Sequence, residues 1–301
     1  MPLLSIGVPV FNGENYLRQA VESILSQDFG DFELVISDNA STDGTSAICA
    51  DYARMDKRVR LHRNETNIGA IANHNLVFQL STGKYFKWAA HDDECAPGVL
   101  AACVRTLEDA PDQVALVYPQ AELIGEKGEV EGRFTVSIQC RDRRPAERFG
   151  RVVRYVRLGT PLYGVIRPEM LRRTRLLGAF HSSDLVLLAE LALIGEIWEL
   201  PMFGIRKRMH RLRASQAHSS QTAWQTWADP SQTAGREWRI PGMDRVDREY
   251  VRRVYLSDIG CLEKCRCLLA VALNSYGSRR LKRWSRRLRM RVGQKSAHAD
   301  R

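Results

Sequence analysis

The feature that most constrains this chain is a regular alternation over its first 120 or so residues: short apolar runs, each closed by a polar cluster, separated by segments of helical periodicity. Leu3 to Phe11 is an apolar run ended by Asn12-Gly13, and Glu14 to Gln27 then carries Leu17, Val21, Ile24 and Leu25 at helical spacing. Phe32 to Ile36 predicts a second strand, followed by the polar stretch Ser37 to Thr45 and a helix over Ser46 to Ala53. Val59 to Arg63 predicts a third strand. A helix through Leu80, stopped at Gly83, leads into a fourth, Tyr85 to Ala90, which runs straight into His91-Asp92-Asp93. Pro97 fits the first turn of a helix ending near Ala110, and Val114 to Tyr118 is a fifth strand. Strands alternating with helices predict an α/β fold with a mostly parallel central sheet covered on both faces. Such sheets bind ligands outside the carboxyl ends of their strands. Asn12, Asp38 to Asp43 and His91 to Asp93 are thereby brought to one rim, although they lie up to about 80 residues apart.

The second half is less regular. Pro145 to Leu158 is a basic amphipathic helix, Leu162 to Ile166 a short strand, and Pro168 to Leu177 a further helix. Ser183-Asp184 precedes an apolar helix, Leu185 to Ile194, ended by Gly195. Ile197 to Arg206 is interrupted by Pro201 and predicts edge structure leading into Arg206-Lys207-Arg208-Met209-His210. Ser, Gln, Thr and Ala predominate from Ala214 to Gly235, and Arg245 to Leu273 and Ser278 to Val292 read as helical. The expected organisation is a domain over 1–213 with halves 1–118 and 119–213, a linker over 214–243, and a basic helical extension over 244–301.

Hydrophobic residues at 44% and charged residues at 27% exclude general disorder. Seven scattered cysteines do not form a disulfide framework, and Cys261, Cys265 and Cys267 lack a fourth zinc ligand, so they are expected to pack as small apolar groups. The start, Met1-Pro2-Leu3-Leu4-Ser5, has no basic leader, and no apolar run approaches the roughly 18 residues of a spanning helix. A cytoplasmic protein is expected, with placement on the inner face of the membrane as a variant of that reading. The net charge of +10 invites an anionic partner. It has one address: residues 264–301 hold twelve Lys and Arg against Asp300, which leaves 1–263 at −1.

Adjacent carboxylates at a strand end, Asp92 and Asp93, suit a hard divalent cation whose remaining ligands are water and phosphate. The same two acids would also favour the helix that begins near Pro97, and spacing alone leaves both roles open. The chain has no G-x-G-x-x-G after its first strand, no G-x-x-x-x-G-K-[ST] and no G-x-S-x-G, so dinucleotide redox chemistry, P-loop hydrolysis and lipase-type catalysis lack their fingerprints.

In motif order, Ile6 to Leu17 (IGVPVFNGENYL), Ser37 to Thr45 (SDNASTDGT), Asn67-x-Gly69 with Asn75, Gly83-Lys84-Tyr85, and His91-Asp92-Asp93 with Pro97 resemble the family 2 glycosyltransferases of the GT-A fold. The resemblance covers roughly residues 3–210. It implies an inverting transferase that takes a sugar from a nucleotide diphosphate donor (UDP-, dTDP- or GDP-linked) with Mg2+ or Mn2+ and delivers it to a glycan or lipid-linked acceptor in cell-envelope glycan assembly. On matching positions, the donor pocket would be formed by Pro9, Val10, Phe11, Asn12, Glu14, Asp38, Asn39, Asn67, Gly69, Asn75, His91, Asp92 and Arg208. The metal would be held by Asp92, Asp93 and His210. Asp184 would be the catalytic base, with Tyr163 and His181 near the acceptor. Asp184 and Ser183 would serve equally well as caps of the following helix. The pattern departs from the family at Ala90, where the first acid of the metal motif usually stands, at His74, usually Arg, and at Ser183, usually Glu. The departures at Ala90 and Ser183 leave a second reading beside the first, a nucleotide-sugar-binding protein with weak turnover or none.

The last segment, SRRLKRWSRRLRMRVGQK from Ser278, places Leu281, Trp284, Leu288 and Val292 near one face if helical, with Arg and Lys around them. That composition suits an anionic membrane surface; a solvated tail and a basic nucleic-acid-binding protein are the competing readings. No nucleic-acid partner is expected, because nothing upstream supplies a module for one.

Overall fold

The computed structural model describes residues 1–134, 138–156, 158–211, 227–230 and 243–275. The first half follows the strand-helix alternation: β1 (Leu4–Val10), α1 (Leu17–Leu25), β2 (Phe32–Asp38), α2 (Thr45–Met55), β3 (Val59–Arg63), α3 (Ala70–Gln79), β4 (Tyr85–Trp88), β5 (Glu94–Cys95) and α4 (Val99–Asp109). The second half comprises β6 (Val114–Ile124), β7 (Val130–Phe134), α5 (Pro145–Tyr155), a 3-10 turn (Thr160–Tyr163), β8 (Val165–Ile166), α6 (Pro168–Arg172), α7 (Ser183–Ile194), β9 (Glu196–Arg208), α8 (Arg245–Leu256) and α9 over 261–275.

The described strands form one sheet in the order β3-β2-β1-β4-β8-β6-β9-β5, with β7 paired to β6. β1 to β4 are mutually parallel, and β6 and β9 are parallel to each other. The short strands β5, β7 and β8 run antiparallel to their partners, so the sheet is mostly parallel as expected. β1 and β2 are buried along their whole length, which is why they read as continuous apolar runs rather than alternating ones. The period of two still operates inside them. Tyr85, Val117 and Val165 belong to one core cluster, while their neighbours Phe86, Leu116 and Ile166 belong to the other, one on each face of the sheet.

Two expectations are corrected. The strand expected at 162–166 is a 3-10 turn followed by two strand residues, because Pro161 starts a tight turn whose Gly164 N–H returns to the Pro161 carbonyl. β9 is not cut by Pro201: Leu200 opposes Pro119 and Phe203 opposes Gln120, so Pro201 and Met202 bulge out of the ladder and the strand continues to Arg208. In the extension, Tyr250, Val254, Cys267 and Val271 share a core cluster with Phe149 and Leu187. Cys267 packs as expected, whereas Cys261 and Cys265 face outward. Most of the expected linker and the whole of 278–301 lie outside the described residues.

Candidate active site

Three loops meet at the carboxyl ends of β1, β2 and β4. Asn12 (φ 51°) and Ala40 (φ 59°) adopt left-handed backbone, which turns each chain sharply out of its strand. The first two loops are then stitched together. Asn12 N–H donates to Ser41 Oγ (3.0 Å), its side-chain oxygen accepts from Thr42 N (2.9 Å), and Glu14 Oε2 accepts from Gly44 N (2.7 Å). Asp43 Oδ1 accepts from Thr45 N (3.0 Å); burial alone would raise its pKa, but this and other hydrogen bonds hold it below the ordinary range. His91 closes the rim from the third loop, its ring so near Gly13 that a Cβ there would lie 2.6 Å from it.

Several residues expected to touch the donor are instead committed to shaping this rim. Asp38 is fully buried; Oδ1 accepts from Ser41 N (2.9 Å), Oδ2 from Ser46 Oγ (2.5 Å), and Arg63 stands 3.5 Å away. Asn39 Oδ1 accepts from Asn64 Nδ2 (2.9 Å) and Ile68 N (3.0 Å), and its Nδ2 donates to Asn67 Oδ1 (2.8 Å). Gly69 holds φ +87° at the start of α3, with Ala228 against it. Asn75 bonds the Leu177 backbone in both directions (3.0 and 3.2 Å), away from the rim. Pro9 and Val10 lie within β1, while Phe11 is exposed at its mouth.

Asp92 is the acid that the structure brings into partnership with His210. Its Oδ2 lies 2.9 Å from His210 Nε2, and Tyr16 packs on the imidazole with ring centroids 4.6 Å apart. Burial would raise the Asp92 pKa, but the charge of His91, the His210 hydrogen bond and Lys207 outweigh it and keep the group ionised well below the ordinary range. Asp93 turns elsewhere: Oδ1 accepts from Arg208 N (2.9 Å) and Oδ2 lies 3.8 Å from Lys207 Nζ. Among the described residues no three His, Cys, Asp or Glu side chains gather around one point, so the expected three-ligand set is not assembled. Arg208, expected at the donor, is buried. Its guanidinium binds Glu94 and the carbonyls of Asp92 (3.1 Å), Gly125 (3.2 Å) and Glu126 (2.9 Å).

Asp92 and His210 nevertheless fit a divalent cation as a pair. One carboxylate and one imidazole converge on the rim, and His210 Nδ1 is buried without a hydrogen-bond partner, so no second protein group claims the ring. A cation held by two side chains would take its other ligands from phosphate and water.

Asp184 lies in the first turn of α7, after Ser182 has turned the backbone through φ 64°. Gly159 of the facing turn admits it, since a Cβ there would stand 2.1 Å from Asp184 Oδ2. Burial raises the Asp184 pKa; the Leu185 N–H, His181 and Lys207 oppose this without cancelling it. The carboxylate lines a cleft of about 300 Å³, walled by Ile71, His74, Trp88, Tyr163 and Trp227 and flanked by His181. His74 contributes a neutral wall, because burial lowers its pKa. Tyr163 links the two centres. Burial, then the charges of Asp93, Asp92 and Asp184, push its phenol well above the ordinary range, and Lys207 Nζ sits 5.6 Å from its ring centre.

Lys207 and Tyr16 were not singled out from the sequence. Strand alternation carries the signal for Lys207: in β9 it projects opposite to Arg206 and Arg208, and only the folded chain shows that its side meets Tyr163 and Asp93.

A mostly parallel sheet with an acidic rim at its strand ends, and a half-buried carboxylate starting a helix beside it, fits the GT-A architecture. The chain belongs to glycosyl transferase family 2, whose family model matches residues 5–161. Over 126 residues it is 33% identical to the uncharacterized glycosyltransferase RP339 of Rickettsia prowazekii (strain Madrid E), covering 42% of this chain and 38% of that one. It is 30% identical over 126 residues to an uncharacterized glycosyltransferase of Haemophilus influenzae, covering 42% and 39%. The match thus spans about two fifths of the length of these relatives. The fold is that of the S. aureus TarS 1-349 crystal structure in complex with UDP-GlcNAc (TM-score 0.65, 15% identity, 91% of this chain and 72% of that one). It is also similar to the mannosyltransferase PcManGT from Pyrobaculum calidifontis in complex with GDP-Man and Mn2+ (TM-score 0.54, 16% identity, 91% and 70%).

Proposed function

We propose that this chain is an inverting glycosyltransferase, moving a sugar from a UDP-, dTDP- or GDP-sugar to a hydroxyl of a glycan or lipid-linked acceptor in cell-envelope glycan assembly. The observation that carries the reading is Asp184: a half-buried carboxylate of raised pKa in the wall of an open cleft, joined through Tyr163 and Lys207 to the Asp92-His210 pair. The complexes of TarS with UDP-GlcNAc and of PcManGT with GDP-Man and Mn2+ support a nucleotide-sugar donor and a divalent cation. The transferase unit is 1–213, its acceptor half completed by α8 and α9, and 278–301 holds it peripherally on the anionic inner face of the membrane.

In this mechanism the rim of 11–14, 38–45 and 91–92 receives the nucleotide. Asp38 and Asn39 hold its loops in shape, and Phe11, Asn12 and Glu14 stand at its mouth. Asp92 and His210 would hold Mg2+ or Mn2+, which supplies positive charge to the departing diphosphate. Lys207 adds fixed positive charge on the same side. Asp184 takes the proton of the acceptor hydroxyl as the new glycosidic bond forms and the bond to the diphosphate breaks, inverting the anomeric centre. Tyr163 and His181 border the acceptor, and Trp227 shields the cleft from water.

The decisive variant is Asp184→Asn. Transfer is expected to fall by about 10²- to 10⁴-fold, while stabilisation by nucleotide-sugar persists. Near wild-type transfer by a folded variant removes Asp184 as the base.

A further inference from the structure

The sequence places its excess positive charge after residue 263, and the structure adds a second property to the same region. Helix α9 turns an uncharged face outward. Leu262 (65% exposed), Leu268 (40%), Leu269 (59%) and Leu273 (64%) stand in solvent with Cys265 among them. At 100° per residue these positions lie within an arc of about 140°. Helices on protein surfaces ordinarily turn such an arc to the core. Here the core is taken by the opposite face, where Cys267, Val271 and Ser275 are buried, Ser275 Oγ donates to Asp247, and Glu263 Oε2 accepts from Ala146 N (3.1 Å). The helix is anchored with its apolar side outward. Tyr255 (77% exposed) and Leu256 (47%), at the end of α8, add to the exposed apolar surface of this region. No described helix is long and apolar enough to cross a membrane.

We infer that this face of α9 is an interfacial docking surface that inserts into an anionic lipid bilayer. Charge selects the occupant: the sequence that follows, 278–301, carries ten Lys and Arg and one Asp. Apolar side chains beside a cationic segment are the composition of a helix lying in a bilayer interface, where leucines enter the acyl boundary and basic groups meet anionic headgroups. A second copy seated on the same face would bring two strongly basic segments together, which like-charge repulsion opposes. The inference rests on the proposed peripheral attachment and assigns part of it to α9, apart from 278–301.

Full-length protein is sedimented with phosphatidylcholine vesicles and with vesicles containing phosphatidylglycerol, in low and high salt. Wild type is expected in the pellet with the anionic vesicles only. Leu262→Ser, Leu269→Ser and Leu273→Ser together are expected to cut recovery about tenfold, with unchanged circular dichroism and unchanged thermal stabilisation by nucleotide-sugar. Equal recovery of wild type and triple variant overturns the inference and leaves attachment to 278–301 alone. Absence of wild type from every pellet overturns both. Loss of a dimer in the triple variant, measured by light scattering, also overturns the inference, because the face would then be occupied by a second copy.

Discussion

Asp184 and Asp92 share one perturbation, burial, and end on opposite sides of the ordinary range because only Asp92 is compensated. Burial raises both. At Asp92 the charges of His91, Lys207 and His210 reverse the outcome, while at Asp184 they do not. A folded pKa above the unfolded value means that the folded state binds the proton more tightly. The stability Asp184 contributes is therefore full below the unfolded value, about 4, and is lost as pH rises through the folded value. At neutral pH its charge costs stability. Asp184→Asn is accordingly expected to melt at the same temperature as wild type or higher at pH 7, with the advantage vanishing as the pH falls below 4, in calorimetry across that range. The wild-type kcat/KM should decline on acidification through a pKa above the usual aspartate value, a limb absent from the variant's residual rate. For Asp92 the sign is reversed: its depressed pKa contributes stability above the unfolded value, lost as pH falls through the folded one. Asp92 is conspicuous in the sequence as an acid at a strand end, whereas Asp184 is singled out only by the family resemblance, since an acid at a helix start reads equally well as a cap. Lys207 could not be found there, since three basic residues in a row differ only in which side of β9 they occupy. The left-handed backbone at Ala40 and Ser182, each beside the site, was equally invisible, whereas Asn12, of a type enriched at positive φ, stood in a readable Asn-Gly turn.

At the scale of elements, Arg208 decides whether the end of β9 stays beside the 91–94 loop and the turn at 125–126. Its guanidinium serves Glu94 and three carbonyls from those segments while remaining buried. Removing it strands Glu94 and the carbonyls without their donor. Arg208→Met is expected to cost about 3–5 kcal/mol, visible as a lower urea midpoint with unchanged slope. Glu94→Gln, which keeps a hydrogen-bond acceptor, should cost less. If Arg208 instead served the donor directly, Arg208→Met would weaken nucleotide-sugar binding and leave the urea midpoint in place. The parallel strands β1 to β4 were legible because burial on both faces writes them as apolar runs bounded by turns. β9 was harder to read, because Pro201 has no ladder position to disrupt once the strand bulges around it. Asn39 and Asn67, expected at the donor, join Asn64 and Asn73 in a side-chain ladder. Its partners are mostly one another and Ser37, tying the ends of β2 and β3 to α3.

For the whole molecule, the sheet separates two core clusters, and α8 and α9 complete the one that backs the Asp184 cleft. The excess positive charge begins only after residue 263, so the helices that follow 243–244 share the nearly neutral character of the first half as well as its core cluster with Phe149 and Leu187. Donor binding should tighten the rim and the cleft together, because Tyr163 and Lys207 lie between them. With nucleotide-sugar and Mn2+ at about 100 times the dissociation constant, linkage adds about 2.7 kcal/mol to the unfolding free energy. For a chain of this size that corresponds to a rise of about 4 °C in the melting temperature. Chelation of the metal should remove part of that rise, and Asp92→Asn or His210→Ala should remove the same part without chelator. The rise should also be nearly independent of salt, because residues 1–263 carry a net charge of only −1, whereas vesicle sedimentation depends on the basic segment beyond them and should weaken steeply with it. A donor effect as salt-sensitive as the vesicle effect would move nucleotide-sugar binding from the rim to the basic segment.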